Sequence, residues 1–146
     1  LIAGSGPLAQ ELRREIAEKH LEQAVTMLGD VPRHKLMEYI HAADCFVLNT
    51  GYEGLSHQLL EVLAIGTPIV TTRVGGNNEL ITEGVTGWLV NYDDMAALGE
   101  AIAQVLEKRS EALVRASAGQ KFVQSFTVTR MVDETLALIT HTVTRS

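Results

Sequence analysis

The amino-acid sequence predicts an α/β fold: a doubly wound parallel sheet followed by C-terminal helices. Three observations carry this. Short apolar runs alternate with longer amphipathic stretches over residues 1–90. Those runs are apolar almost throughout, as a sheet covered on both faces requires, without the alternation of a sheet wetted on one face. Beyond residue 90 the pattern turns wholly helical. Strands alternating with helices imply parallel pairing through right-handed crossovers.

The strands are expected at 1–3 (LIA), 25–28 (VTML), 45–49 (CFVLN), 68–72 (PIVTT) and 87–90 (GWLV). Helices are expected between them at 7–20, 33–43, 57–65 and 77–83. The helix at 57–65 has defined ends, with Ser56 to cap it, Gly66 to close it and Pro68 to prevent its continuation. In DDMAALGEAIAQVLEKR (93–109), Met95, Leu98, Ile102, Val105 and Leu106 form one stripe behind acidic first-turn residues. Two further helices are expected near 110–124 and 129–143, with Ser110 and Thr129 as caps.

Composition narrows the function. A chain of 146 residues suits one domain with a real core. Twelve basic against 18 acidic residues give a formal charge of −6, which offers no basic footprint for nucleic acid. Cys45 is the only cysteine, so an intrachain disulfide or zinc knuckle is excluded and a reducing cytoplasm is the expected setting. No apolar run reaches the length of a membrane span and no signal peptide opens the chain, which leaves at most peripheral membrane association. The sequence begins inside a strand-like run, LIAGSG, as a fragment would.

Ligands of doubly wound sheets bind beyond the carboxyl ends of the strands. The segments there are GSGP (4–7), GDVPR (29–33), TGYEGLS (50–56), RVGGNNE (73–79) and NYDD (91–94). In YEGLSHQLLEVLAIGTP (52–68), Glu61 lies among Leu59, Leu60, Val62, Leu63, Ala64 and Ile65 and is expected to be buried. A buried carboxylate needs donors. The vicinal diol of a ribose supplies two, and an internal salt bridge or backbone amide is the alternative. At the start of the same helix, the N–H groups of Ser56, His57 and Gln58 favour an anion such as a diphosphate. Gly54 lets the chain come close, and Glu53 can accept hydrogen bonds from sugar hydroxyls or stand as a solvated loop acid. His57 can donate to phosphate, although an ordinary first-turn residue is the simpler reading.

A second motif competes. GSGPLA matches G-x-G-x-x-A through Gly4, Gly6 and Ala9, with Asp30 ending the next strand where a ribose-binding acid would lie. That is an NAD(P)-binding Rossmann reading, against which Pro7 is unusual in a phosphate turn. The acids of YDD (92–94) read as a helix N-terminus before they read as a metal site.

YEGLSHQLLEVLAIGTPIVTTRVGGNNELI (52–81) resembles the signature of the retaining GT-B-fold glycosyltransferases of family four, the glycosyl transferases group 1. There a Glu, seven residues, a second Glu, G-x-P and a GG-x-x-E run recur in order. GSGP, MLGDV, AADCFVLNT and GVTGWLV fit the same frame, so the resemblance covers essentially the whole chain.

It implies that residues 1–146 form the C-terminal, Rossmann-like, nucleotide-sugar-binding lobe, half of a GT-B fold, lacking its first strand and helix. Transfer would be retaining and metal-independent, with no cofactor, no metal and a nucleotide-diphosphate sugar as substrate. Glu61 would hold the ribose and Glu53 the donor sugar as the catalytic-site acid. Amides of Gly54, Leu55 and Ser56 would meet sugar and diphosphate, with His57 beside them and Leu60 against the ribose. Val31 would face the base, Gly4 and Gly6 would approach the donor, Gly75 and Gly76 would wall the sugar, and Glu79 would lie nearby. Leu55-Ser56 stands where the family often has Phe-Gly, and the family's Arg-Lys diphosphate clamp has no match. Arg33, Lys35 and Arg73 are the available basic residues, each by default solvated.

The acceptor-binding lobe would be a separate partner, so the isolated chain is expected to be inactive. A non-catalytic nucleotide-binding module is the alternative. With the family's strand order, the run at 1–3 is a second strand and the central one is missing. Direct pairing of 1–3 with 45–49 is the favoured repair. A homodimer through exposed sheet edges, or a segment outside this sequence, are the others.

Overall fold

The computed structural model describes residues 1–143. They form two compact units, residues 1–42 and the chain from 43 onward. The first unit contains β1 (Ile2–Ala3), α1 (Ala9–Glu18), β2 (Met27–Gly29) and α2 (Arg33–Ala42). The second contains β3 (Phe46–Leu48), α3 (His57–Ile65), β4 (Ile69–Thr72), α4 (Asn77–Leu80), β5 (Trp88–Val90), α5 (Met95–Glu107), α6 (Arg109–Val123) and α7 (Val128–Val143). Every ladder is parallel, as the βα alternation requires.

In the first unit β1 pairs with β2, with Ile2 opposite Met27 and Ala3 opposite Gly29. Among the described residues the ladders make two sheets, β1-β2 and β3-β4-β5. Gly4, at φ +120°, turns the chain out of the strand after Ala3 and limits β1 to two residues. Ile2 is 37% exposed, where a buried strand was expected. β2 begins two residues later than the apolar run suggests, because the Val25 N–H is committed to Leu21 O in a turn, at 2.8 Å. α1 stops at Glu18, and His20 at φ 54° carries the chain away.

In the second unit β4 is the central strand and all four of its residues are buried. Side chains alternate across the pleat. Val70 points into a core with Trp88, Val90, Leu98, Ala101, Val105 and Ala112. Ile69 and Thr71 point to the other face. The stripe of α5 that fills this core is Leu98, Ala101, Ile102 and Val105. Met95 and Leu106, placed on it by apolarity alone, are 64% and 55% exposed. Met95 and Leu106 fall at one edge of the stripe that Leu98, Ala101, Ile102 and Val105 form, and Ala101 bounds it on the other side.

Two expected caps are corrected. α6 begins at Arg109, with Lys108 before it and no side-chain cap, so Ser110 lies inside the helix. α7 is capped by Thr127, whose hydroxyl accepts the Arg130 N–H at 3.1 Å, and not by Thr129. A cap serves the amide three positions on, so only Thr127 can reach it. Among the described residues, no helix is long and apolar enough to cross a membrane.

Candidate functional site

α3 has the ends its sequence requires. The Ser56 hydroxyl accepts the Leu59 N–H at 3.3 Å, and Gly66 closes the helix in the left-handed conformation at φ 87°. Ser56 is 2% exposed, so its hydroxyl is committed to the cap. The N–H groups of His57 and Gln58 have no intrahelical acceptor, as at the start of any helix.

The helix does not bury its whole circumference. Leu59, Val62 and Leu63 are buried, whereas His57 and Ala64 are exposed and Leu60 and Glu61 lie half-buried. Residues 57, 60, 61 and 64 share one stripe at i, i+3, i+4 and i+7. The expectation of an enclosed Glu61 is thereby corrected: it stands on the more open face, in the second turn. Helical side chains lean toward the N-terminus, so Glu61 leans toward the mouth of α3 and not away from it.

The loop entering α3 is built on β3 and pressed by a turn from β4. The Gly76 N–H donates to the Glu53 carbonyl at 3.3 Å. A Cβ on Gly75 would stand 1.8 Å from the same oxygen, and one on Gly76 would stand 2.3 Å from the Gly54 carbonyl oxygen. Both positions therefore require glycine, one of them also at φ +44°. Glu53 is half-buried at this junction, Gly54 and Leu55 are exposed, and Glu79 is exposed on α4. The second unit thus brings Glu53, Gly54, Leu55, Gly75 and Gly76 together at the mouth of α3, with His57, Leu60 and Glu61 along the adjoining stripe.

In the first unit Gly4 donates its N–H to Gly29 O at 2.8 Å. The Ser5 hydroxyl donates to Asp30 Oδ1 at 2.6 Å, which engages the acid that a ribose-binding reading needs. Gly6 has open space where a side chain would be, and Val31 is half-buried.

The basic residues have local work. Lys35 pairs with Glu38 at 2.7 Å. Arg73, although half-exposed, donates to Leu89 O at 3.4 Å and lies 4.0 Å from Glu83, which makes it a brace for β5 as much as a surface charge. Asp94 caps α5 by accepting the Ala97 N–H at 2.9 Å, the helix-start role read for the YDD acids. Among the described residues no group of three or more His, Cys, Asp or Glu could hold a metal ion. Burial, with a smaller contribution from the charge of Asp44, pushes the Cys45 thiol up to about 11, so it stays protonated and inert at neutral pH.

Sequence reasoning missed the buried polar residues Thr71, Thr72 and Asn77. The sequence marks the positions, two threonines ending an apolar strand and Asn77 directly after the glycine pair, but not the bonds they make.

Comparison with known proteins identifies the family and the fold. The family model of the glycosyl transferases group 1 matches residues 1–122. The amylovoran biosynthesis glycosyltransferase AmsK of Erwinia amylovora is 31% identical over 116 residues, which is 75% of this chain and 28% of that protein. A glycogen synthase of Mycobacterium tuberculosis (strain H37Rv) is 32% identical over 124 residues, which is 85% of this chain and 30% of that protein. The chain spans about a third of the length of such relatives. Among solved structures, Anabaena Alr3699/HepE in complex with UDP-glucose superposes with a TM-score of 0.83 at 26% identity, over 92% of this chain and 39% of that one. The parallel strands and flanking helices are accordingly those of the Rossmann-like half of a GT-B fold. The family match begins at residue 1 and takes in the Gly4–Gly6 turn that sequence alone left open to a dinucleotide. The chain belongs to the glycosyl transferases group 1.

Proposed function

We propose that the chain binds the donor in a retaining, metal-independent glycosyltransferase that moves a sugar from a nucleotide diphosphate to an acceptor hydroxyl. The observation that carries this is the mouth of α3, where the glycine turn at 75–76 packs backbone to backbone on Glu53 and Gly54. The related HepE protein has been solved with UDP and with UDP-glucose, ligands of the chemistry this mouth suits. In this reading the Glu61 carboxylate accepts both ribose hydroxyls, with Leu60 against the ring. The first-turn amides and the helix dipole stabilise the charge developing on the departing diphosphate. His57 donates to a phosphate oxygen, and Glu53 holds the sugar while the acceptor attacks from the face the diphosphate leaves. Gly75, Gly76 and Glu79 line the sugar side.

Heat protection by a panel of UDP, GDP, ADP and NAD tests the ligand class, and protection by NAD alone would refute the proposal. Titration of two carboxylate variants tests the roles. Glu61→Gln should weaken the preferred nucleotide diphosphate by about 1.5–3 kcal/mol, the range for a hydrogen bond to a charged group. Glu53→Gln should leave that nucleotide unaffected and weaken the nucleotide sugar by ~10-fold. Equal binding of the nucleotide by the parent and both variants would remove the ribose assignment.

Acceptor recognition is assigned to a separate lobe, and the family's Arg-Lys diphosphate clamp has no match among these residues, so the 146-residue chain alone should turn over no nucleotide sugar. Glycoside formation by the purified chain would contradict this. A longer protein that binds the donor and transfers nothing would instead favour a non-catalytic module. The single cysteine suits a reducing, cytoplasmic setting.

A further inference from the structure

The strand ends beside the α3 mouth hold a buried polar cluster with no assigned role in donor contact. Thr71, Thr72 and Asn77 are each 0% exposed. Asn77 Nδ2 donates to Thr71 Oγ1 at 3.1 Å and to the Thr72 carbonyl at 3.0 Å. The Thr71 hydroxyl donates onward to Leu48 O at 2.8 Å. The Thr72 hydroxyl donates to Thr50 O at 2.6 Å and accepts the Thr50 N–H at 3.2 Å. These bonds tie the end of β3 to the end of β4, and both to the first residue of α4.

The tied segments carry the two pieces of backbone that meet at the site. From Thr50 the chain runs to Glu53, and from Thr72 it runs to the glycine turn whose Gly76 N–H holds Glu53 O. Glu53 is therefore fixed from two sides: through Thr50 on Thr72, and through Gly76 on the turn that Asn77 closes. Asn77 serves this at a cost. Its Oδ1 is buried with no hydrogen-bond partner among the described residues, a penalty that an apolar side chain of similar size would avoid. Valine would likewise fill the space of Thr72 without a hydroxyl. The polar atoms are explained by the bonds they make and not by packing.

We infer that Asn77 and Thr72 are positioning residues that lock the 73–76 turn onto the 50–54 loop and so set where Glu53 meets the donor sugar. The inference rests on the donor reading above. Both side chains are enclosed and act through the backbone of Glu53.

The test uses Asn77→Leu, the near-isosteric Thr72→Val, and Thr72→Ser, which keeps the hydroxyl. Amide hydrogen exchange at Gly76 and Thr50 is measured without ligand, and affinities for UDP and UDP-glucose are measured separately. Exchange at Gly76 in Asn77→Leu, and at Thr50 in Thr72→Val, should rise by at least ~10-fold over the parent while the β4 amides stay protected. UDP affinity should stay within about twofold of the parent while UDP-glucose affinity falls ~10-fold, and Thr72→Ser should restore both readouts. Parent-like exchange at Gly76 and Thr50 would overturn the inference, as would equal weakening of both ligands. Should the parent bind neither ligand, the donor reading fails by itself, and the exchange result alone upholds or refutes the lock.

Discussion

Gly75→Ala is expected to abolish binding of UDP-glucose and to lower the unfolding free energy by at least ~3 kcal/mol. Two costs combine. The left-handed conformation, at φ +44°, costs an L-residue roughly 1–2 kcal/mol. The second cost is larger, because the new Cβ would stand 1.8 Å from the Glu53 carbonyl oxygen and 3.0 Å from its carbon. Those are backbone atoms and cannot rotate aside, so the loop carrying Glu53 must move as a body. Gly84→Ala separates the two costs, since Gly84 has φ +75° but open space around it. It should show the conformational cost alone, about 1–2 kcal/mol, and bind as the parent does. Denaturant unfolding and titration calorimetry on both variants check this. A Gly75→Ala protein as stable as Gly84→Ala and binding UDP-glucose normally would show that the loop yields without consequence.

That contact also marks the limit of what the sequence discloses. The ends of α3 could be read from Ser56, Gly66 and Pro68, because a cap, a left-handed stop and a blocked continuation are local chemistry. The glycine pair could be recognised as part of a motif. Its partner could not be found, because the atom that excludes a side chain at 75 is a carbonyl oxygen 22 positions away, and any residue at 53 would present it. Apolarity along 59–65 suggests an enclosed Glu61 only while the helical phase of those residues is left out. Ala64 is apolar yet exposed, and it shares a stripe with Glu61. The polar cluster of Thr71, Thr72 and Asn77 escaped for a related reason. Threonine is an ordinary strand residue, and only the ladder that sets β3 beside β4 gives its hydroxyl a carbonyl to bond. β1 is not the buried strand its apolarity suggests because burial comes from neighbours, and among the described residues its ladder partner is β2.

Leu63→Ala should produce the other large effect, a loss of ~2–5 kcal/mol in stability with no preference between ligands. Leu63 is 1% exposed, and its Cδ2 lies 2.6 Å from where a Cβ on Gly119 would stand. α6 therefore receives this side chain at a position with no side chain of its own. Ala112, Ala116 and Gly119 are the buried residues of α6, at helical spacing; Gly119 is where Leu63 of α3 seats, while Ala112 belongs to the core of Val70 and Trp88. Truncating Leu63 leaves a cavity that this face cannot fill, because alanine and glycine have no rotamers with which to reach across it. The loss should lie in the upper half of the range. The last turn of α3 is held separately, by Gln120 Nε2 donating to Ala64 O at 3.2 Å and Ile65 O at 3.1 Å. The first turn is held by the Ser56 cap and the loop bonds of Glu53. With both ends anchored, the helix should keep its place over the cavity, and the folded fraction should bind UDP within about twofold of the parent. Chemical denaturation with calorimetry well below the midpoint gives both numbers. A loss under ~1 kcal/mol would mean that the α3–α6 contact closes after truncation. Weakened UDP binding by fully folded protein would mean that α3 shifts along its axis, carrying Glu61 with it, and that Leu63 sets the register of the site as well as its stability.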